Sequence, residues 1–152
     1  MVVAFSYAQA LELVGTAVPG HLQADLEVPS LRGVQAQGDL LVFPIAEPDD
    51  VAWAPVPATG VQLIRSEATG NTHWLHQDQG STGVQWAEPV RVPVFEDEEP
   101  DLRLAYVRVP EGQGGLLIHT EEHGVNGIGP GTYQVNRKRE ADPESVQRLL
   151  AD

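Results

Sequence analysis

Leu102-Arg103-Leu104-Ala105-Tyr106-Val107-Arg108-Val109 carries apolar side chains on both faces of an extended chain. Leu102, Leu104 and Tyr106 share one face; Ala105, Val107 and Val109 share the other. A strand apolar on both faces is predicted to lie in the middle of a sheet, covered on each side. Upstream, Val84 to Phe95 is strand-like but broken by Pro89 and Pro93, and Asp78 to Gly83 is a polar turn. His73 to Gln77 can return as the hairpin partner of Val61 to Glu67 across Thr69-Gly70-Asn71. Asp39 to Ile45 is an apolar run too short for a helix, opened by Gly38 and ended by Pro48. Pro44 within it marks an edge or a bulge. Downstream, Leu116 to His119 is a short strand and Thr132 to Arg139 the last. About seven short strands with many Gly and Pro turns predict a mainly β fold, a small barrel or sandwich.

The ends differ in character. Ser6 and Gln9 have capping-box spacing, Tyr7, Leu11 and Val14 share a helical face, and Gly15 stands where a helix stops. This predicts a short helix over 7–14. Residues 16–38 hold Pro19, Gly20, Pro29, Gly33 and Gly38 without a period, as in a loop or wrapping arm. Asp142, Pro143 and Glu144 form a helix start, predicting a short C-terminal helix from Pro143 to Leu150. At 152 residues the chain has the size of one domain. It divides into an N-terminal helix and arm (1–36) and a β-domain with its C-terminal helix (37–152).

Composition narrows the partners. There are 22 acidic and 9 basic residues, a net charge of −13. Nucleic acid and anionic lipid are disfavoured, since both need clustered Lys and Arg. There is no cysteine, which removes disulfides, thiolate metal sites and cysteine nucleophiles. No apolar run approaches the roughly 20 residues of a membrane span. The start lacks the positive region of a signal peptide, so a cytoplasmic protein is expected, or a virion-associated one if the source is a phage. Glu96 to Asp101 is an acidic run expected in a solvated loop, without the pattern of an EF-hand.

No nucleophile elbow and no P-loop are present. Gly127, Gly129 and Gly131 are expected in a hairpin or arch loop with glycines at positive φ. Trp53, Trp74 and Trp86 are too scattered for a stacking platform, so core or rim packing is the expectation. Arg137, Lys138 and Arg139 are the only basic cluster, expected to pair with acidic surface rather than hold an anion. The histidines fall in pairs: His73 with His76, and His119 with His123. Imidazole and carboxylate bind zinc and other divalent transition metals. The candidate metal set is His73, His119 and His123, with Glu122 or Glu121 as fourth ligand or base. His73 and His76 cannot both belong to it unless the strand breaks, because residues three apart on a strand point to opposite faces. The default for each histidine, and for His21, is a surface or structural role.

Several of these segments together resemble a family of small, largely uncharacterised proteins of bacteria and their phages. The matching residues are Gln37-Gly38-Asp39; Glu67 with Thr69-Gly70 and His73; His119, Glu122, His123 and Gly124; Pro130, Gly131, Tyr133 and Val135; and Arg139-Glu140. The resemblance implies that His73, Glu122 and His123 share one patch. Two positions depart from the pattern: Asn71 stands where the first histidine of a Thr-Gly-His-x-His element would be, and Ala141 replaces an aromatic.

Two functions of different class follow. The first is a non-enzymatic acidic β-domain that binds a protein partner or serves as an accessory or structural module, expected in a phage or mobile-element setting. The second is a metal-dependent β-barrel enzyme of cupin-like logic using the histidine set.

Overall fold

A computed structural model describes residues 5–13, 28–65, 72–91, 101–120 and 124–138. Helix α1 (Tyr7–Glu12) is followed by strands β1 (Ser30–Leu31), β2 (Gln35–Gln37), β3 (Leu40–Pro44), β4 (Ala54–Pro55), β5 (Val61–Arg65), β6 (Thr72–Gln77), β7 (Gln85–Ala87), β8 (Arg103–Val109), β9 (Gly115–His119), β10 (Gly124–Ile128) and β11 (Gly131–Arg137). They form two sheets, in the orders β1-β10-β9-β6-β5 and β2-β3-β11-β8-β7-β4.

The fold is thus mainly β, and its strands divide between two sheets rather than closing into a barrel. Closure needs an unbroken ladder of backbone bonds. Between β1 and β2 the chain instead passes from one sheet to the other, and it does so again between β4 and β5. At the first crossing side chains bridge the gap: Gln35 Nε2 donates to Gly127 O at 2.9 Å and Gln37 Nε2 to Leu117 O at 2.8 Å. At the second, Gln77 Nε2 donates to Val56 O at 2.7 Å.

The strands expected from the sequence are β3, β5, β6, β7, β8, β9 and β11. The expected count falls short because β1, β2 and β4 are only two or three residues long, while β10 is glycine-rich. The strand expected over 84–95 is confined to Gln85–Ala87 within the described residues. As predicted, β8 is internal, between β11 and β7, with Ala105, Tyr106, Val107 and Val109 all buried. Pro44 ends β3 beyond the reach of β2, where its missing N–H costs no ladder bond.

Between the sheets lies one core, built on Leu40, Val42, Leu75, Val107, Leu117 and Val135 among others. A second covers the outer face of the first sheet, where Ala10 and Leu11 of α1, with Val28, meet Leu116, Ile118 and Val125. The helix has the predicted start. Gln9 N donates to Ser6 Oγ, and Ser6 N donates to Gln9 Oε1. Phe5 N donates to Asp78 Oδ1 at 2.8 Å and Val28 N to Phe5 O at 2.9 Å, so the N-terminal segment is bonded to the sandwich. The predicted C-terminal helix (143–150) and most of the arm (16–27) lie outside the described residues.

The glycines after β9 need correction. Gly127 lies inside β10 at an ordinary φ, and its role is close approach: β1 runs parallel against it, Ser30 opposite Gly127. Of the three glycines expected at positive φ, only Gly131 has one (146°). It lies against Tyr133, whose hydroxyl donates to Gly129 O at 2.7 Å inside the core. Tyr133→Phe leaves that carbonyl with one fewer donor and is expected to cost about 1–2 kcal/mol, read as a lower urea midpoint at unchanged slope.

Candidate functional site

His73 and His119 are Cα partners across the antiparallel β6–β9 pair. Partners share a face, and the next inward pair along these strands, Leu75 and Leu117, belongs to the inter-sheet core. The two imidazoles therefore stand inside the sandwich at the end of that core, with exposures of 0% and 2%. Their rings stack, centroids 4.0 Å apart and planes within 8° of parallel.

The turn joining β2 to β3 closes over them. Gly38 has φ +53°, and a Cβ built there would fall 3.0 Å from His119 Cε1 and 3.3 Å from His73 Cε1. Glycine is thus required twice, for backbone angle and for space. Gln37 fixes the ring of His73. Its Nε2 donates to Leu117 O and to Asn126 Oδ1 at 2.9 Å, which leaves Oε1 facing His73 Nδ1 at 3.1 Å. An oxygen there requires a proton on Nδ1, so neutral His73 carries its lone pair on Nε2. That nitrogen is buried, with no partner among the described residues. Beside the rings Thr72 and Thr120 bond through their hydroxyls.

Burial pushes the pKa of His73 down to about 4; the neighbouring His119 adds to the shift, and Asp39 opposes it. His76 faces the other way, as strand alternation demands, with Leu116 as its Cα partner. Burial lowers its pKa too. Gly60, at φ +82°, lies directly against its ring, and a Cβ there would be 2.4 Å from Nε2. His76 also lines a cleft of about 440 Å³ between Phe5, Leu13 and the β6–β7 turn.

Of the candidate metal set, the structure brings His73 and His119 together, while Glu122 and His123 lie outside the described residues. Among the described residues no three His, Asp or Glu side chains group to hold an ion. The stack itself limits the pair. A zinc ion lies about 2.0–2.1 Å from a ligating nitrogen, close to the ring plane. Two near-parallel rings 4.0 Å apart cannot both meet that condition for one ion. In this arrangement, at most one of them ligates a given metal. Gln37, Gly38 and Asn126 were not among the site residues picked out from the sequence. The signal for Gln37 and Gly38 was the Gln-Gly-Asp element, whose glycine and glutamine both touch the histidine pair; Asn126 had none.

The tryptophans pack as expected. Trp86 packs against the inter-sheet core, Trp53 lies beneath the Arg108 guanidinium at 4.3 Å, and Trp74 sits 6.3 Å from His76.

A family model described as a domain of unknown function, DUF8820, matches residues 36–138, and the chain belongs to that family. The match covers the histidine pair, the Gln-Gly-Asp turn and the β11 strand. No curated protein and no solved structure matches the chain.

Proposed function

We propose that this DUF8820 member is a non-enzymatic binding module that engages a protein partner through its surface. The observation behind this reading is the corner where the chain passes between the sheets. There Leu31 and Val34 stand 50% and 37% exposed, on an otherwise acidic protein. Exposed apolar groups rimmed by charge are the make-up of a protein-docking surface, and a net charge of −13 favours a partner with a basic rim. The stacked histidines support the same reading, because His73 is buried, neutral and bonded to Gln37, as a structural group is. The resemblance to proteins of bacteria and their phages suggests a mobile-element setting, and a cytoplasmic or virion-associated location goes with it.

The test compares wild type with the double variant Leu31→Glu/Val34→Glu as immobilised bait in lysate from the encoding cells. The retained protein is then purified and its binding measured directly. Retention by wild type only, weakening as salt rises, is the expected result. Equal retention by both baits, or by neither, overturns the reading.

A second reading has one observation in its favour. Nε2 of His73 carries a buried lone pair while Nδ1–H is held by a carbonyl oxygen, the usual arrangement of a metal-ligating histidine. In the sequence Glu122 and His123 follow His119 by three and four residues. A divalent metal held by His73, His123 and Glu122 is the form this reading takes. Elemental mass spectrometry of untagged protein decides it. Near-stoichiometric zinc, iron, manganese or nickel, lost in His73→Asn, supports the metal; metal-free folded protein that takes up none removes it.

A further inference from the structure

The chain has nine basic residues, and three of them, Arg91, Arg103 and Arg137, line one cleft of about 350 Å³ at the start of β8 and the end of β11. Among the described residues that line it, one carboxylate, Asp101, stands with them. It is spent on Arg103. Arg103 Nε donates to Asp101 Oδ1 at 3.0 Å and Nη2 to Oδ2 at 2.8 Å, a two-pronged pair. Nη1 donates to Tyr106 Oη at 2.9 Å and Nη2 also to Val90 O at 3.1 Å, so the Arg103 side chain is rigid. Arg91 reaches the same carboxylate with Nη1 alone, 3.1 Å from Oδ2, and keeps its other donors. Arg137 is anchored through its backbone, N donating to Leu102 O at 2.8 Å. Its guanidinium is exposed and pairs with no carboxylate among the described residues.

Among the described residues of this cleft, three guanidiniums face one carboxylate. The expectation that Arg137 pairs with acidic surface finds no such pair among the described residues. Arginine presents planar, forked donors that match phosphate and carboxylate oxygens, and two of these three have donors to spare. The Arg103 guanidinium holds the Asp101 carboxyl well below the usual carboxylate range, so Asp101 stays charged and keeps the pair in place. The net charge of −13 opposes anion approach at long range. Physiological salt screens that field beyond about 8 Å, which leaves direct contact to decide binding.

We propose that this cleft binds a small oxyanion, a phosphate or carboxylate group, through Arg91 and Arg137, with the Arg103–Asp101 pair as its rigid wall. The site lies on the second sheet, away from the Leu31 corner on the first, and does not depend on the protein-docking reading.

Side-chain Nε–H resonances of labelled arginine report it. Inorganic phosphate, and separately succinate, is titrated against sodium chloride of equal ionic strength. Saturable shifts at Arg91 and Arg137 that chloride does not reproduce are expected. Saturation by phosphate alone assigns a phosphoryl ligand, and saturation by both assigns a general oxyanion site. Arg137→Gln is expected to weaken binding about tenfold, the size of one lost charge-assisted bond. Arg108→Gln, whose guanidinium lies over Trp53, should leave binding unchanged. Should Arg137→Gln fail to fold, Arg91→Gln serves in its place. Shifts no larger than those with chloride, or undiminished affinity in the folded variant, overturn the proposal.

Discussion

Gly127→Ala is expected to destabilise the protein by about 3 kcal/mol or more, at the upper end of what overpacking costs. A Cβ at this position would fall 2.2 Å from Pro29 O, 2.9 Å from Pro29 C and 3.0 Å from Ser30 Cα. All three are backbone atoms, so no rotamer change relieves the clash. β1 must move away from β10. That movement breaks the Ser30–Gly127 and Leu31–Ile128 pairing, and with it the bond from Gly129 N to Leu31 O at 2.7 Å. It also pulls on Val28, which is 2% exposed in the core beneath α1. Urea unfolding measures the loss, and amide exchange at Leu31 should rise sharply. Gly33→Ala is the control: nothing lies within 4 Å of its Cβ, and its change should stay within about 0.5 kcal/mol. Equal effects at the two positions would contradict the parallel β1–β10 contact.

Acidification from pH 6.5 to 4 is expected to remove about 3 kcal/mol of stability through His73, whose pKa falls from 6.5 unfolded to about 4 folded. Within this window the unfolded chain binds a proton that the native His73 refuses, so stability falls as pH falls. Above pH 6.5 both states are neutral and the contribution is constant. His76, lowered by burial, acts in the same direction. Asp101 contributes chiefly below its ordinary value of 3.8, since its carboxyl stays ionised in the fold. His73→Asn places an uncharged amide near the Nδ1 position and removes the titration. Its stability should be lower at pH 7 but flatter between pH 6.5 and 4. A slope identical to wild type would place the acid sensitivity elsewhere.

Much of the architecture was visible in the pattern of the chain. The two-faced run ending at Val109 gave the internal strand β8, and the capping residues Ser6 and Gln9 gave α1. Strand alternation alone separated His73 from His76. What was missed has a common physical cause: β1, β2 and β4 are too short to carry a period. β10 reads as a turn because Gly124 and Gly127 mimic loop chemistry, while the actual constraint on Gly127 is the backbone of a strand nearly a hundred residues earlier. Such a requirement is tertiary and leaves no local pattern. The site was legible in its residue types but not in its geometry. Spacing put His73 and His119 forward as ligands, but it could not foresee stacked rings. The stack follows from strand register, which sets His73 opposite His119 and turns both inward under Gly38.

The proposed binding function requires His73 to be a neutral, structural group inside the sandwich. Imidazole NMR tests this most directly, following the ring nitrogens and Cε1–H of His73 from pH 7 to 4, with and without zinc. The predicted result is a ring protonated on Nδ1, neutral until about pH 4, its resonances unmoved by zinc. Titration near 6.5, or displacement of the Nε2 resonance by stoichiometric zinc, would contradict it.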